Sequence, residues 1–342
     1  MKAKIQGTIW ATAVCLLVAA VAIAQAPAAK KKILVVGLPD SAVAQLRQAA
    51  PAGVQIVSPA MNQVGAEIAD SDALICPHLT PQILQAGPKL AWVQILNAGA
   101  EDAIPLVRGK NITLTNLKVV LGPEVADHAI ALLLALTRGL YQTIPTREWK
   151  VPAGVNQMTE LDGKTAVVIG VGGVGTAIAQ RANAFGMNVI GVDPKDAPPP
   201  AFIKQMVKPN QLDSVLPQAN VVFITVPETP QTKGMIGAAQ FKEMKRGAYL
   251  IAVSRGTIYS TDALVDALSS GKLAGAGLDV TDPEPLPPTS PLWKFQNVLI
   301  TPHIAGASDS SLPRVIEMLQ ENIKHFAAGE PLVNVVDTTK GY

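Results

Sequence analysis

Leu161–Asp193 reads LDGKTAVVIGVGGVGTAIAQRANAFGMNVIGVD. The apolar run Thr165–Ile169 has the length of a buried strand and leads into Gly170-Val171-Gly172-Gly173-Val174-Gly175. Apolar positions at Val174, Ile178 and Ala182 then recur at helical spacing. Gly186 stands where a helix end favours positive φ. A second apolar run, Asn188–Val192, ends on Asp193. The order is strand, glycine turn, helix, strand, acid, and each part suits a bound dinucleotide. Gly170 allows a tight turn, Gly172 lets the backbone approach a pyrophosphate, and Gly175 permits close helix–strand packing. Gly173 and Val174 open the helix, whose free N–H groups and dipole face the phosphates. Asp193 lies near the spacing at which a carboxylate meets the ribose hydroxyls. Its charge would repel a 2′-phosphate, which favours NAD over NADP, while Lys195 keeps NADP open. A glycine turn alone is a weak signal; flanking elements in register make this one specific.

The remainder of the 342 residues is long enough for a second domain. Apolar residues are 49% and charged residues 16%, which suits a large core. Aromatic residues are 4% and the formal net charge is +2, with no basic stripe, so a nucleic-acid surface is not expected. No metal site is expected either. Lys2 and Lys4 precede an apolar run, Thr8–Ala24, that ends in the small-x-small pattern Ala22-Ile23-Ala24. Residues 1–24 therefore read as a secretory signal peptide, with a periplasmic or secreted product. The run is near the lower limit for a membrane span, and Lys30, Lys31 and Lys32 work against export. An uncleaved anchor or a cytoplasmic location thus stays open, with membrane contact only through this segment. Cleavage would remove Cys15 and leave Cys76 alone, so no internal disulfide is expected; Cys76 reads as an inert buried thiol.

From Lys32 an α/β rhythm begins. Ile33–Val36, Val54–Val57, Ala73–Cys76, Ala91–Leu96 and Ile112–Thr115 are strand candidates, and Ser41–Ala50 a helix capped by Asp40 or Ser41. Leu96-Asn97-Ala98-Gly99-Ala100 follows a strand, and its backbone N–H groups suit a carboxylate, although on the local sequence alone an ordinary strand-to-helix turn is the better reading. Pro123–Leu140 is a long helix. Its apolar block Ala129–Leu136 is broad enough to be buried between domains or against another subunit, and His128 on it is a structural hydrogen-bond donor. Tyr141–Glu160 is irregular. After Asp193, Val221–Val226, Tyr249–Val253, Gly275–Val280 and Val298–Thr301 read as strands, Thr261–Ser270 as a capped helix and Asp309–Ala328 as a closing helix.

Arg255, Glu284 and His303 each follow a strand of the nucleotide-binding half, and open α/β sheets bind ligands at strand carboxyl ends. An arginine fork clamps a carboxylate or polarises a carbonyl. A histidine exchanges a hydroxyl proton during hydride transfer, and a neighbouring glutamate fixes its tautomer. Taken singly, each also fits a surface ion pair, a solvated turn or a core histidine.

The motifs VVIGVGGVGTAIAQRANAFGMNVIGVD, VPETPQTKGMI, VSRG, GAGLDVTDPEPLP and TPHIAGAS, in this order, resemble those of the D-isomer-specific 2-hydroxyacid dehydrogenases. The resemblance runs from about Lys32 to Val336. It implies two Rossmann-like or flavodoxin-like α/β domains, the nucleotide domain (residues 123–305) inserted into a substrate domain (31–122 and 306–342). It implies hydride transfer between NAD(H) and a small 2-hydroxy or 2-oxo acid of the glyoxylate or hydroxypyruvate kind, in a homodimer. A nucleotide-binding regulatory protein on the same fold, or a dehydrogenase for another small anion, remains the alternative. By the resemblance Arg255 binds substrate, Glu284 supports the histidine and His303 is the acid/base. Asp193 meets the ribose, Asp279 lies near the nicotinamide amide, and Asn97, Ala98 and Gly99 hold the substrate carboxylate. Val226, Pro227, Ser254 and Gly306 fall in the cofactor-contacting motifs. Ala252, Ile258–Thr261, Thr281 and Lys118-Val119 depart from the usual residues.

Overall fold

The computed structural model describes residues 30–342, apart from 153, 154, 156, 157 and 197. Five short apolar segments form the first sheet: β1 (Lys31–Val35), β2 (Val54–Val57), β3 (Ala73–Cys76), β4 (Trp92–Ile95) and β5 (Thr113–Thr115). They are parallel, in the order β2-β1-β3-β4-β5. β3 and β4 are buried along their whole length, as expected of strands covered on both faces. The Ser311–Ala328 helix lies on this sheet: Val315, Leu319 and Ile323 pack with Ile33, Val35 and Trp92.

The second sheet contains β6 (Thr165–Ile169), β7 (Asn188–Val192), β8 (Gln205–Val207), β9 (Val221–Ile224), β10 (Ala248–Ala252), β11 (Leu273–Leu278) and β12 (Val298–Ile300). Its order is β12-β11-β10-β9-β6-β7-β8, again parallel. The strand order reverses between β6 and β9, which opens a crevice at their carboxyl ends. The glycine turn that follows β6 lies there.

Several expectations from the sequence need correction. The expected helix to Leu140 stops at Thr137, whose hydroxyl donates back to the Leu133 carbonyl (2.9 Å), and Gly139 turns left-handed at φ 64°. Most of its apolar block is buried within the chain itself, by neighbouring elements of the nucleotide-binding half. The Gly122–Thr137 helix is sandwiched between the Gly173–Ala184 helix and strands β10 and β11. Gly277 of β11 allows this, since a Cβ there would lie 2.8 Å from Leu132 Cβ. Neither Asp40 nor Ser41 caps the first helix; Pro39, extended at φ −66° and ψ 151°, precedes it, and Asp40 sits in its first turn. β9 ends at Ile224, two residues early, because Thr225 turns its hydroxyl onto the Ile169 and Gly170 carbonyls (2.9 and 2.6 Å). The edge strand β8 has no counterpart in the sequence reading: only Val207 of it is buried. Residues 1–24 lie outside the described residues. Among the described residues no helix is long and apolar enough to cross a membrane.

Candidate active site

The three glycines of the turn meet three different surroundings. Gly170 has φ 94°, and a Cβ on it would lie 2.9 Å from Val226 Cγ1. Gly175 packs its Cα on the turn itself, so that a Cβ would overlap the Gly170 carbonyl oxygen. Gly172 faces open space, with nothing within 4 Å of a built Cβ. That is the arrangement of a turn whose middle is left clear for a phosphate and whose ends are locked. The helix it opens, Gly173–Ala184, starts with Gly172 extended and without a side-chain cap, so its first N–H groups point into the same space. Gly173 and Val174 begin this helix, and a Cβ on Gly173 would lie 2.5 Å from the Lys118 carbonyl oxygen. Asp193, 8% exposed, directly follows β7 and accepts from Val171 N (2.8 Å) and Lys195 N (2.9 Å). A carboxylate with two donors retains lone pairs for a ribose hydroxyl. These residues fit a dinucleotide. Thr225, which the sequence reading passed over, holds the turn through both its hydroxyl bonds. Pro227 is held by Thr232, whose hydroxyl donates to the Pro227 carbonyl at 2.6 Å.

His303 and Glu284 meet. His303 Nδ1 lies 2.9 Å from Glu284 Oε2, and Glu284 Oε1 accepts from Thr281 N at 2.9 Å. The carboxylate is thus fixed at one oxygen by backbone and aims the other at the ring. The Nδ1 contact leaves Nε2 as the ring atom free to face a substrate. His303 takes φ 52°, a left-handed conformation uncommon for a non-glycine residue. Asp279 holds it there. This residue is 1% exposed; its carbonyl accepts from His303 N (2.9 Å), and its carboxylate accepts from Ile304 N (3.0 Å), Ala305 N (2.9 Å) and Thr301 Oγ1 (2.6 Å). Asp279 thereby anchors the whole Thr301–Ala305 loop, which begins where β12 ends and leads to Gly306. His128 Nε2 reaches Thr301 Oγ1 at 2.8 Å, in the structural part read from the sequence.

Arg255 belongs to the same strand-end surface but makes other contacts. Its Nη1 donates to the Ser254 carbonyl (2.6 Å), and its Nη2 lies 3.3 Å from Glu101 Oε2. A Cβ on Gly99 would overlap Arg255 Nη2. The structure therefore brings the Asn97-Ala98-Gly99 loop against Arg255 across the cleft. The loop is tied down by its carbonyls and side chain: Leu117 N donates to Asn97 O (2.8 Å), Asn116 Nδ2 to Ala98 O (2.6 Å), and Asn97 Nδ2 to Pro77 O (3.1 Å). Among the described residues no protein acceptor takes the Ala98 or Gly99 N–H. Those donors, with the guanidinium, form a hydrogen-bonding rim suited to a small carboxylate. Glu101, like Thr225, has no part in the sequence reading. Its only signal was an acid directly after a loop already proposed to hold an anion.

Cys76 is 2% exposed, and burial pushes its thiol up to about 12, as befits an inert side chain. Of the departures noted in the sequence, Ala252 is fully buried in β10, and Thr281 donates its hydroxyl to the Pro283 carbonyl at 2.9 Å, bracing the turn that carries Glu284.

Comparison with known proteins agrees with this geometry. A family model described as D-isomer specific 2-hydroxyacid dehydrogenase, NAD binding domain, matches residues 130–305. The chain is 36% identical over 280 residues to the glyoxylate reductase of Korarchaeum cryptofilum (strain OPF8), covering 79% of this chain and 84% of that one. It is 32% identical over 293 residues to the hydroxypyruvate reductase of Blautia hydrogenotrophica, covering 81% and 88%. Among solved structures it is similar to a D-isomer specific 2-hydroxyacid dehydrogenase family protein from Aeromonas salmonicida subsp. salmonicida A449. That match has a TM-score of 0.79 at 29% identity, over 91% of this chain and 100% of the other.

Proposed function

Since the chain belongs to the D-isomer specific 2-hydroxyacid dehydrogenase family, we propose that it reduces a small 2-oxo acid, of the glyoxylate or hydroxypyruvate kind, with NADH, reversibly. The observation that carries this reading is the pair His303–Glu284 at 2.9 Å, in the same cleft as Arg255 and the open glycine turn. A pure nucleotide-binding module has no physical need for that pair.

When bound, the nicotinamide ring exchanges a hydride with C2 of the acid. The chain's own residues do the rest. Ala98 and Gly99 N–H and the Arg255 guanidinium bind the substrate carboxylate, and Arg255 polarises the C2 carbonyl and offsets charge developing on its oxygen. His303 delivers a proton from Nε2 to that oxygen, and takes it back in the oxidative direction. Glu284, on Nδ1, keeps the ring oriented and favours its protonated form. Asp193 selects NAD, because a 2′-phosphate would be brought against a buried carboxylate. A second copy of the chain is the expected partner: Ile144, Trp149 and Val151 leave an exposed apolar surface in the segment after the Gly122–Thr137 helix, which pairing would cover. Residues 1–24 are proposed to direct export, which signal-peptidase processing of the full chain tests.

The deciding experiment follows NADH and NADPH oxidation by residues 25–342 with glyoxylate, hydroxypyruvate and pyruvate. NADH-dependent turnover that disappears in His303→Ala is expected. Nucleotide binding with no turnover on any acid favours the regulatory alternative. Asp193→Ser should raise the NADPH:NADH ratio of kcat/KM about 10-fold or more, and an unmoved ratio removes Asp193 from cofactor choice.

A further inference from the structure

β8 is an edge strand that buries only Val207, yet it carries the pairing of β7 past the strand end. Val192 stands opposite Val207, and Asp193 N donates to the Val207 carbonyl at 3.1 Å. Lys208, the next residue, therefore falls beside the loop that follows Asp193. Its ammonium has three donors, and three acceptors of that loop surround it: the Pro194 carbonyl (3.0 Å), the Lys195 carbonyl (3.0 Å) and the Asp196 carboxylate.

The first of these contacts reaches Asp193. The Pro194 carbonyl shares one planar peptide unit with the Lys195 N–H, and that N–H donates to Asp193 Oδ1 at 2.9 Å. A cation on the carbonyl fixes the plane, and with it the direction of the N–H. It also polarises the unit, so that the N–H donates more strongly. Asp193 Oδ2 is held separately, by Val171 N of the glycine turn at 2.8 Å. One oxygen of the carboxylate is thus set by the turn, and the other by Lys208 through a single peptide. The ion pair with Asp196 adds little. The two side chains are 41% and 91% exposed, and exposed pairs contribute weakly.

We propose that Lys208 is a positioning residue for cofactor choice: by clamping the Pro194–Lys195 peptide it holds the Asp193 carboxylate toward the ribose and keeps a 2′-phosphate out. The proposal rests on the reading of Asp193 given above. With the clamp released the carboxylate turns, so NADH loses an acceptor for its ribose hydroxyls and NADPH loses part of its repulsion. Hydride transfer is untouched, because Arg255 and His303 follow β10 and β12, on the far side of the sheet from β8.

The test measures NADH and NADPH dissociation constants by fluorescence titration, and kcat with glyoxylate, for the parent protein, Lys208→Met, Lys208→Arg and Asp196→Asn. Lys208→Met keeps the stem and removes the donors. It should weaken NADH about 10-fold and narrow the preference for NADH over NADPH about 5-fold. It should leave kcat at saturating NADH within about twofold, since only cofactor binding has changed. Lys208→Arg returns donors to the carbonyls and should return both dissociation constants to within about threefold of the parent. Asp196→Asn removes the charge of the ion pair alone and should bind both cofactors as the parent does. If it reproduces Lys208→Met instead, the route through the peptide is overturned. A lower melting temperature in Lys208→Met with both dissociation constants unchanged makes the lysine structural and overturns the proposal, leaving the reductase reading in place. A parent that binds NADH but reduces no 2-oxo acid overturns the reductase reading and leaves the role of Lys208 to the binding data.

Discussion

Glu284 Oε2 and His303 Nδ1 stand 2.9 Å apart, although 19 residues of chain separate them. The contact exists because two independent anchors converge. Thr281 N fixes the carboxylate at 2.9 Å, and Asp279 fixes the histidine loop through three backbone N–H groups. His303→Ala should lower kcat by about 10²–10⁴-fold. Glu284→Gln should lower it less and shift the pH profile, since an amide no longer favours the imidazolium. NADH affinity measured by fluorescence titration should stay within about threefold in both, as neither residue touches the glycine turn. A parallel loss of NADH binding would mean that the pair is structural.

Gly172 and Gly175 should separate binding from folding. A Cβ on Gly175 overlaps the Gly170 carbonyl oxygen, whereas one on Gly172 meets nothing within 4 Å. Gly175→Ala should therefore cost about 1–3 kcal/mol of stability in thermal unfolding, through overpacking. Gly172→Ala should leave the melting temperature nearly unchanged and weaken NADH binding, because its Cβ fills the space a pyrophosphate needs. Equal effects of the two substitutions on stability would contradict these surroundings.

Arg314 ties the closing helix to the helix that starts the nucleotide-binding half. Its Nη2 lies 2.6 Å from Glu124 Oε2, and Ser311 Oγ donates to Glu124 Oε1 at 2.7 Å. Glu124 is 4% exposed in its side chain and Arg314 33%. Arg314→Met strands a buried carboxylate, for which about 3 kcal/mol is the expected loss; the partial exposure of Arg314 keeps it at the lower end of the usual range. The double variant Arg314→Met, Glu124→Met should recover most of it in urea unfolding. No recovery would show that the carboxylate is satisfied without Arg314.

Cys76 predicts an alkaline weakness. Its folded thiol titrates at about 12, because of burial, against about 8.5 in an unfolded chain. Between those values the unfolded state binds fewer protons than the folded one, so stability falls as pH rises. The contribution to the slope is at most about 1.4 kcal/mol per pH unit. Below about pH 8 the two states hold the same proton and the effect vanishes. Cys76→Ala should flatten the decline in melting temperature between pH 8.5 and 10.5, after its own cavity cost is subtracted at pH 7. Fast modification of the native protein by a thiol reagent at pH 8 would contradict the burial.

The sequence by itself determined the fold and the chemistry. Thr165–Asp193 could be read because strand, glycine turn, helix and acid are local: each signal lies within one turn or one strand of the next. Arg255, Glu284 and His303 could be listed as strand-end polar residues for the same reason. Their pairing could not. The contact of Glu284 with His303 depends on Asp279, and that of Arg255 with Gly99 and Glu101 brings together segments 154 residues apart. The edge strand β8 was invisible because one buried residue in three gives no period. The covering of the Ala129–Leu136 block is not legible in sequence, because apolar breadth records how much of a helix is covered, and not by what. Tertiary structure alone supplied the covering strands β10 and β11, and it alone put an acid beside the arginine that is to hold an acid.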